Sequence, residues 1–235
     1  PCLVRAFDVV CPPMSPIGSA ASAIAIALPP TGAGLRVVRL GPGQAGAPLR
    51  AMRRRLAAEQ GREPEPDDAL EASATVVAVF AGEAMVAAVR VHATDTPQLR
   101  RELGTLLQLD RFSGIWAPEH IVVGSRLQVL TEFRTRQVID ALLRESYRLV
   151  RDSDVRFGLI ACEPALHALF AFYGFREYLP PAILPGDTGV LRMALVCEDA
   201  STFITCGSPL VDLVQHPQLG LSARAWLEQT FPVLA

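Results

Sequence analysis

The side chains able to do chemistry are concentrated around one apolar run, HIVVGSRLQVL at 120–130, with Glu119 and His120 at its start and Glu132 just past its end. An unperturbed imidazole titrates near neutrality, so His120 is a candidate proton acceptor, although a strand-edge position would suit it equally well. Arg90 and Arg126 interrupt runs that are otherwise apolar, VAAVRV at 86–91 and SRLQVL at 125–130. A buried guanidinium needs a partner. Each arginine is therefore either paired with a carboxylate such as Glu83 or Asp110, or aimed at an acceptor that carries one. His92, His167 and His216 show no partner pattern, and core or surface positions are their default. All 22 basic residues are arginine, which excludes a lysine nucleophile. Five cysteines are scattered, with no CxxC pair and no histidine at metal-ligand spacing, so reduced thiols and no metal site are expected.

Those residues are carried by elements that the apolar spacing outlines. Residues 1–34 contain Pro12-Pro13, Pro29-Pro30, Gly32 and Gly34, which oppose regular structure and favour an irregular arm. LRVVRL at 35–40 reads as a short strand, and 48–60 places Leu49, Met52 and Leu56 at helical spacing with Gly61 as a stop. The β-rich runs 76–80 and 84–92 are joined by Ala81-Gly82-Glu83, a hairpin signal. A helix is expected over 97–109, a strand over 120–130, a long helix over 134–152, a strand over 156–162, a helix over 164–172 and a closing strand over 189–197. Beyond Ser208, 209–216 and 222–231 look like helical additions. The expected division is an arm at 1–34, a catalytic core at 35–200 and a C-terminal helical extension at 201–235.

Composition narrows the class. Apolar residues make up 50% and charged residues 20% of the chain, a balance that supports a packed core and not a disordered chain. A formal net charge of −2 lacks the basic surplus that a nucleic-acid binder needs to displace counterions. Abundant Ala, Gly and Pro with no lysine fit a GC-rich bacterial genome. The stretch IGSAASAIAIAL at 17–28 is too short to span a bilayer, has only Arg5 upstream and runs into Pro29-Pro30, so a cytoplasmic location is expected. Met14 is the first methionine, which makes the residues before it candidates to lie outside the natural start.

The order strand, helix, hairpin, helix, strand, long helix, strand, helix, strand, with Tyr173-Gly174-Phe175 ending the last of those helices, resembles the GNAT acyltransferase superfamily. The resemblance covers about 120 to 160 residues, an ordinary domain length. In that family the fourth strand leads into an R-x-x-G-x-G/A loop that opens a helix. Here the run is Arg134-Thr135-Arg136-Gln137-Val138-Ile139, which keeps the arginine and replaces both glycines. Gly124-Ser125-Arg126-Leu127 resembles the E-x-S-R-F/L stretch of acyl-homoserine-lactone synthases and N-acyl amino acid synthases, and Val86 to Val91 resembles their hairpin strand ending in G-T-x-R-L. The implied fold is α/β (α+β): a mixed, mostly antiparallel central sheet flanked by helices and splayed at its fourth strand. A doubly wound nucleotide-binding fold would need a glycine-rich loop after an early strand, and there is none.

The resemblance implies an N-acyltransferase that moves a long-chain acyl group from a thioester to an amine of an amino acid or peptide, with no permanently bound cofactor. Gln128, Val129 and Leu130 would meet the donor and its oxyanion through backbone groups. Arg134, Thr135, Arg136, Gln137 and Val138 would hold its phosphate at a helix N-terminus. Loss of the glycines removes a close backbone approach to a pyrophosphate. That favours acyl carrier protein, with one phosphate and an acidic surface, over acyl-CoA. Arg90, Ser125 and Arg126 are the implied acceptor site. The family's glutamate base falls at Val123 and its tyrosine acid at Phe170, both apolar here. Glu119, His120 and Glu132 are replacements within reach as base, and Tyr173 could present its hydroxyl to the leaving thiol. Two other readings stand beside this one: a short-acyl, CoA-dependent N-acetyltransferase on a small metabolite, and a degenerate module that binds acyl group or carrier without turnover. The terminal segments could cover the acyl site or form a homodimer contact.

Overall fold

Continuous apolar runs build the sheet, and helices with one apolar face cover it. The computed structural model describes residues 34–64, 69–184 and 189–232, with the backbone of Phe7–Asp8. In chain order the elements are β1 (Phe7–Asp8), β2 (Leu35–Leu40), α1 (Gly46–Glu59), β3 (Thr75–Ala81), β4 (Ala84–Ala93), α2 (Pro97–Leu103), α3 (Leu109–Ser113), β5 (Ile121–Val129), α4 (Arg136–Arg151), β6 (Phe157–Cys162), α5 (His167–Phe172), β7 (Arg176–Ile183), β8 (Gly189–Val196), α6 (Ala200–Cys206) and α7 (Pro217–Thr230). The sheet runs β2-β3-β4-β5-β6-β8-β7, antiparallel throughout except for β5 against β6. This is the mixed, mostly antiparallel architecture expected from the sequence. The signal-like stretch 17–28 and most of the arm lie outside the described residues.

Local chemistry explains the elements that frame the centre. Gly82, at φ +59°, turns β3 into β4, a backbone region that costs glycine little. β6 reads FGLIAC and is buried at every position, as a strand covered on both faces must be. α4 opens at Thr135, whose side chain accepts from Val138 N–H at 3.4 Å. It buries Val138, Ile139, Leu142, Leu143, Tyr147 and Val150 at helical spacing, and Arg148 and Arg151 sit in its last turn, where a cation suits the helix dipole.

The two faces of the sheet are distinct. Ile139, Leu143 and Tyr147 of α4 pack with Tyr173, Phe203 and the strand residues Val91 and Val122. Successive strand residues point to opposite faces, so Arg90, His92 and Val123 look away from α4. On that second face Leu99, Phe112 and Val123 join Phe157, Trp226 and Phe231, which fastens α7 to the core.

Three departures from the expected elements have plain causes. β7 was not anticipated because it contains Pro180 and Pro181, and proline is tolerated there because β7 is the last strand of the sheet. The helix expected over 97–109 stops at Leu103, and Gln108, at φ 49°, separates it from α3. α6 lies in the helical extension expected at 201–235 but ahead of the two segments marked out there; Asp199 caps it, accepting from Thr202 N–H at 3.2 Å, and Gly207 at φ +66° ends it.

β5 and β6 diverge. Their parallel pairing covers Ile121↔Phe157, Val122↔Gly158 and Val123↔Leu159 and then stops, although both strands continue. Arg126 takes φ 49° at this point, and the β4–β5 register slips between Ala88 and Arg90. The combination is a β-bulge that turns the end of β5 away from β6. On the edge that β6 leaves, Phe7 and Asp8 of β1 pair in parallel with Leu127 and Gln128, while β4 holds the opposite edge through Ala88↔Gln128.

Candidate functional site

The residues singled out as donor-binding run from the end of β5 that diverges from β6 to the opening of α4. Gln128 and Val129 lie on the diverging end of β5, and Leu130 follows, its N–H donating to Val86 O at 3.0 Å. The Gln128 side chain is buried and accepts from Arg53 Nε at 3.2 Å. Arg134 folds back so that Nε donates to Val129 O at 3.2 Å. Arg136 and Gln137 are exposed at the opening of α4, with Arg136 stacked 5.0 Å from the Phe172 ring centroid. Thr135 caps the helix, and Val138 points into the core. Of the two residues at the glycine positions, Gln137 faces solvent and Ile139 is buried against the α4-side cluster.

The opposite face holds a string of buried polar groups. Arg90 Nε donates to Ser125 Oγ at 3.1 Å, and His92 Nε2 lies 2.8 Å from the same oxygen. Exposures are 3% for Arg90, 0% for His92 and 5% for Ser125. The ladder sets this contact: Arg90 is the cross-strand partner of Ser125, and His92 that of Val123. Further along the same face, Gln128 meets Arg53 of α1, which also pairs with Glu71. Arg126, the third residue expected to bind an acceptor, sits half-buried at the bulge.

His92 had been read as having no partner, and Arg53 had not been singled out. A usable signal for His92 was its alternation with Arg90 along a strand otherwise apolar, continued by the buried Thr94 just past the strand's end. For Arg53, inside the run Arg53-Arg54-Arg55, only the helical phase with Leu49, Met52 and Leu56 marked it as inward.

The residues expected to move protons are held elsewhere. Glu119 is exposed and His120 half-buried in the turn before β5, at the end where β5 and β6 are paired. His120 Nε2 lies 3.4 Å from Asp154 Oδ2, with its ring edge-on to Trp116. Glu132, just past β5, is paired with Arg55. Tyr173 is buried on the α4 face, and its hydroxyl donates to Asp140 in the first turns of α4. Burial first, and then the Asp140 carboxylate, push this phenol well above its ordinary range, so it is a proton donor that resists ionisation. Among the described residues no three His, Cys, Asp or Glu side chains are grouped to hold a metal, and no helix is long and apolar enough to cross a membrane.

A sheet that splits at its fourth core strand, with a bulge in that strand and a capped helix opening beside the gap, is the GNAT fold. Solved structures share it across nearly their whole length. An N-acyl amino acid synthase from uncultured soil microbes matches at a TM-score of 0.58 and 14% identity, covering 78% of this chain and 100% of that one. A CoA-dependent acyl-homoserine lactone synthase solved with SAM and isopentyl-CoA matches at 0.57 and 17%, covering 82% and 100%. A putative N-acetyltransferase from Lactobacillus plantarum matches at 0.53 and 12%, covering 69% and 98%. No protein-family model matches the chain, and no curated protein does. The first two of these similar structures belong to the branch that the stretch at 124–127 resembles.

Proposed function

We propose that this chain is an N-acyltransferase that moves a fatty acyl group from a thioester on acyl carrier protein or coenzyme A to the amine of an amino acid or peptide, in the cytoplasm. The observation that carries the reading is the opening of β5 from β6 after Val123, beside a buried polar face at Arg90 and Ser125. A pantetheine arm has amides that can continue a strand ladder along the edge at Leu127 and Gln128, and that edge already accepts a parallel strand in β1. Donor thioester and acceptor amine then meet at the bulge, one from each side, and the gain is chiefly one of proximity.

Several features support the parts of this reading. The structure solved with SAM and isopentyl-CoA pairs an acyl thioester with an amino-acid derivative in the same fold. Arg90 and Arg126 suit an acceptor carboxylate, since guanidinium presents a planar fork to it. Gln137 at the opening of α4 favours a single phosphate over a tightly cradled pyrophosphate, hence a carrier protein. A second reading, transfer of a short acyl group, is supported by Ile160, Leu166 and Phe170, which are buried in one apolar cluster with Leu127 and Val129 of the diverging strand.

The test is incubation with acyl carrier proteins and CoA thioesters of several chain lengths and a pool of amino acids and peptides, with products read by mass spectrometry. Long-chain amides formed from carrier-bound donors are the expected result. Acetyl transfer from acetyl-CoA alone would establish the second reading, and donor binding with no product would leave a binding module instead of an enzyme.

A further inference from the structure

We propose that Ser125 and His92 form a proton relay for the attacking amine, an inference that rests on the acyl-transfer reading above. Val123 carries no proton-accepting group, but its cross-strand partner on the same face is His92. His92 in turn lies 2.8 Å from Ser125 Oγ, two residues along β5 and next to the bulge where the strand leaves β6. The base absent from β5 is thus supplied from β4, through a hydroxyl on β5.

The hydrogen-bond inventory orders the relay. Arg90 can only donate, and its Nε–H occupies one lone pair of Ser125 Oγ at 3.1 Å. The Ser125 hydroxyl hydrogen is then free to point at His92 Nε2, leaving the second lone pair of the oxygen for an amine hydrogen. The acceptor ammonium first passes one N–H proton to Ser125 Oγ while the hydroxyl's own proton passes to Nε2, and the free amine then attacks to form the C–N bond at the thioester carbonyl. Collapse of the tetrahedral adduct breaks the C–S bond, the nitrogen's surplus proton passes to the departing thiolate, and the imidazolium releases its proton to solvent. The sum is ammonium plus thioester giving amide, thiol and a proton, with Ser125 and His92 as they began.

Ser125 is the catalytic residue in this scheme, and His92 acts through it. The charged groups on this face include Arg90 on the strand of His92, Arg53 of α1 with Glu71 beside it, and Arg100 of α2, which donates to Thr94 O at 2.9 Å and pairs with Asp110 of α3.

The experiment compares two acceptors on the full chain: an ordinary amino acid, which must shed a proton, and hydroxylamine, which is largely unprotonated at neutral pH. For His92→Gln, kcat/KM with the amino acid should fall about 100-fold or more, the lower range for a lost general base. The loss should shrink as pH rises. With hydroxylamine the loss should be under about tenfold on the same scale, and donor KM should not move. Equal losses with both acceptors, or an unchanged rate and pH profile, would overturn the relay while leaving acyl transfer intact. No transfer by the wild-type chain to either acceptor would overturn the acyltransferase reading itself, and the relay with it. Should His92→Gln lose its circular dichroism signal, Ser125→Ala carries the same comparison with the same two outcomes.

Discussion

Arg53 of α1 donates through Nε to Oε1 of Gln128 on β5, 3.2 Å away in the interior, and so ties the first helix to the diverging strand. The same guanidinium pairs with Glu71, whose side chain is 13% exposed. Replacing Arg53 by Met removes the cation and leaves a largely buried carboxylate without it. The expected loss is about 3 kcal/mol of stability, the lower end for a broken buried pair. Urea titration measures it, and adding Glu71→Leu should restore part of the loss. A loss below about 1 kcal/mol would place this pair among those that contribute like surface bridges.

Restoring glycine at position 137 distinguishes the two donors. Gln137 is exposed at the opening of α4, and its removal lets phosphate oxygens approach the first helix N–H groups. Gln137→Gly should lower KM for acyl-CoA several-fold and leave KM for acyl carrier protein within about twofold, since the carrier's single phosphate asks less of the cradle. Steady-state kinetics with both donors reads the difference. Equal effects would sink the proposed preference.

Much of the fold was legible in the residues, and the parts that were not have two causes. The hairpin at Gly82, the long helix capped by Thr135 and the buried run of β6 are local features, written in turn chemistry and apolar spacing. The contact of His92 with Ser125 depends on the register between two strands 33 positions apart, and the bulge at Arg126 sets that register. No local pattern reports a bulge in which an arginine takes the left-handed region. β7 was hidden for a different reason: its two prolines argue against a strand unless its place at the sheet edge is already known.

Burial pushes the thiols of Cys162 and Cys197 up from 9.0 to about 12. A group harder to ionise in the fold than in the unfolded chain stabilises the fold fully below its ordinary value, and that contribution is lost as pH rises towards the folded value. Stability should therefore fall above pH 9.0, approaching about 1.4 kcal/mol per pH unit for each thiol. Urea unfolding at about pH 8 and about pH 9.5 measures it, below the ordinary value of 10.0 above which the buried tyrosines add a steep slope of the same sign. Cys197→Ala should roughly halve the difference, and an undiminished slope would assign it to other groups.

Gly220 lets α7 lie against the end of β8. A Cβ there would stand 2.2 Å from the carbonyl carbon and oxygen of Glu198, main-chain atoms that cannot swing aside. Gly220→Ala should cost at least about 2 kcal/mol, as overpacking does. It should also loosen Trp226 from Phe112 and Phe157, seen as a red shift in tryptophan emission at urea concentrations where the wild type is still folded. An unshifted spectrum and unfolding midpoint would mean that α7 moves away freely.

The pairing of Phe7 and Asp8 along Leu127 and Gln128 changes what a donor affinity would measure. An edge strand already satisfied by its own chain offers no net new ladder bonds to an incoming pantetheine. Binding there is an exchange, in which one set of main-chain bonds replaces another. The competitor belongs to the same chain and does not dilute with the protein. Half-saturation by donor would then report a ratio of two occupants of one edge.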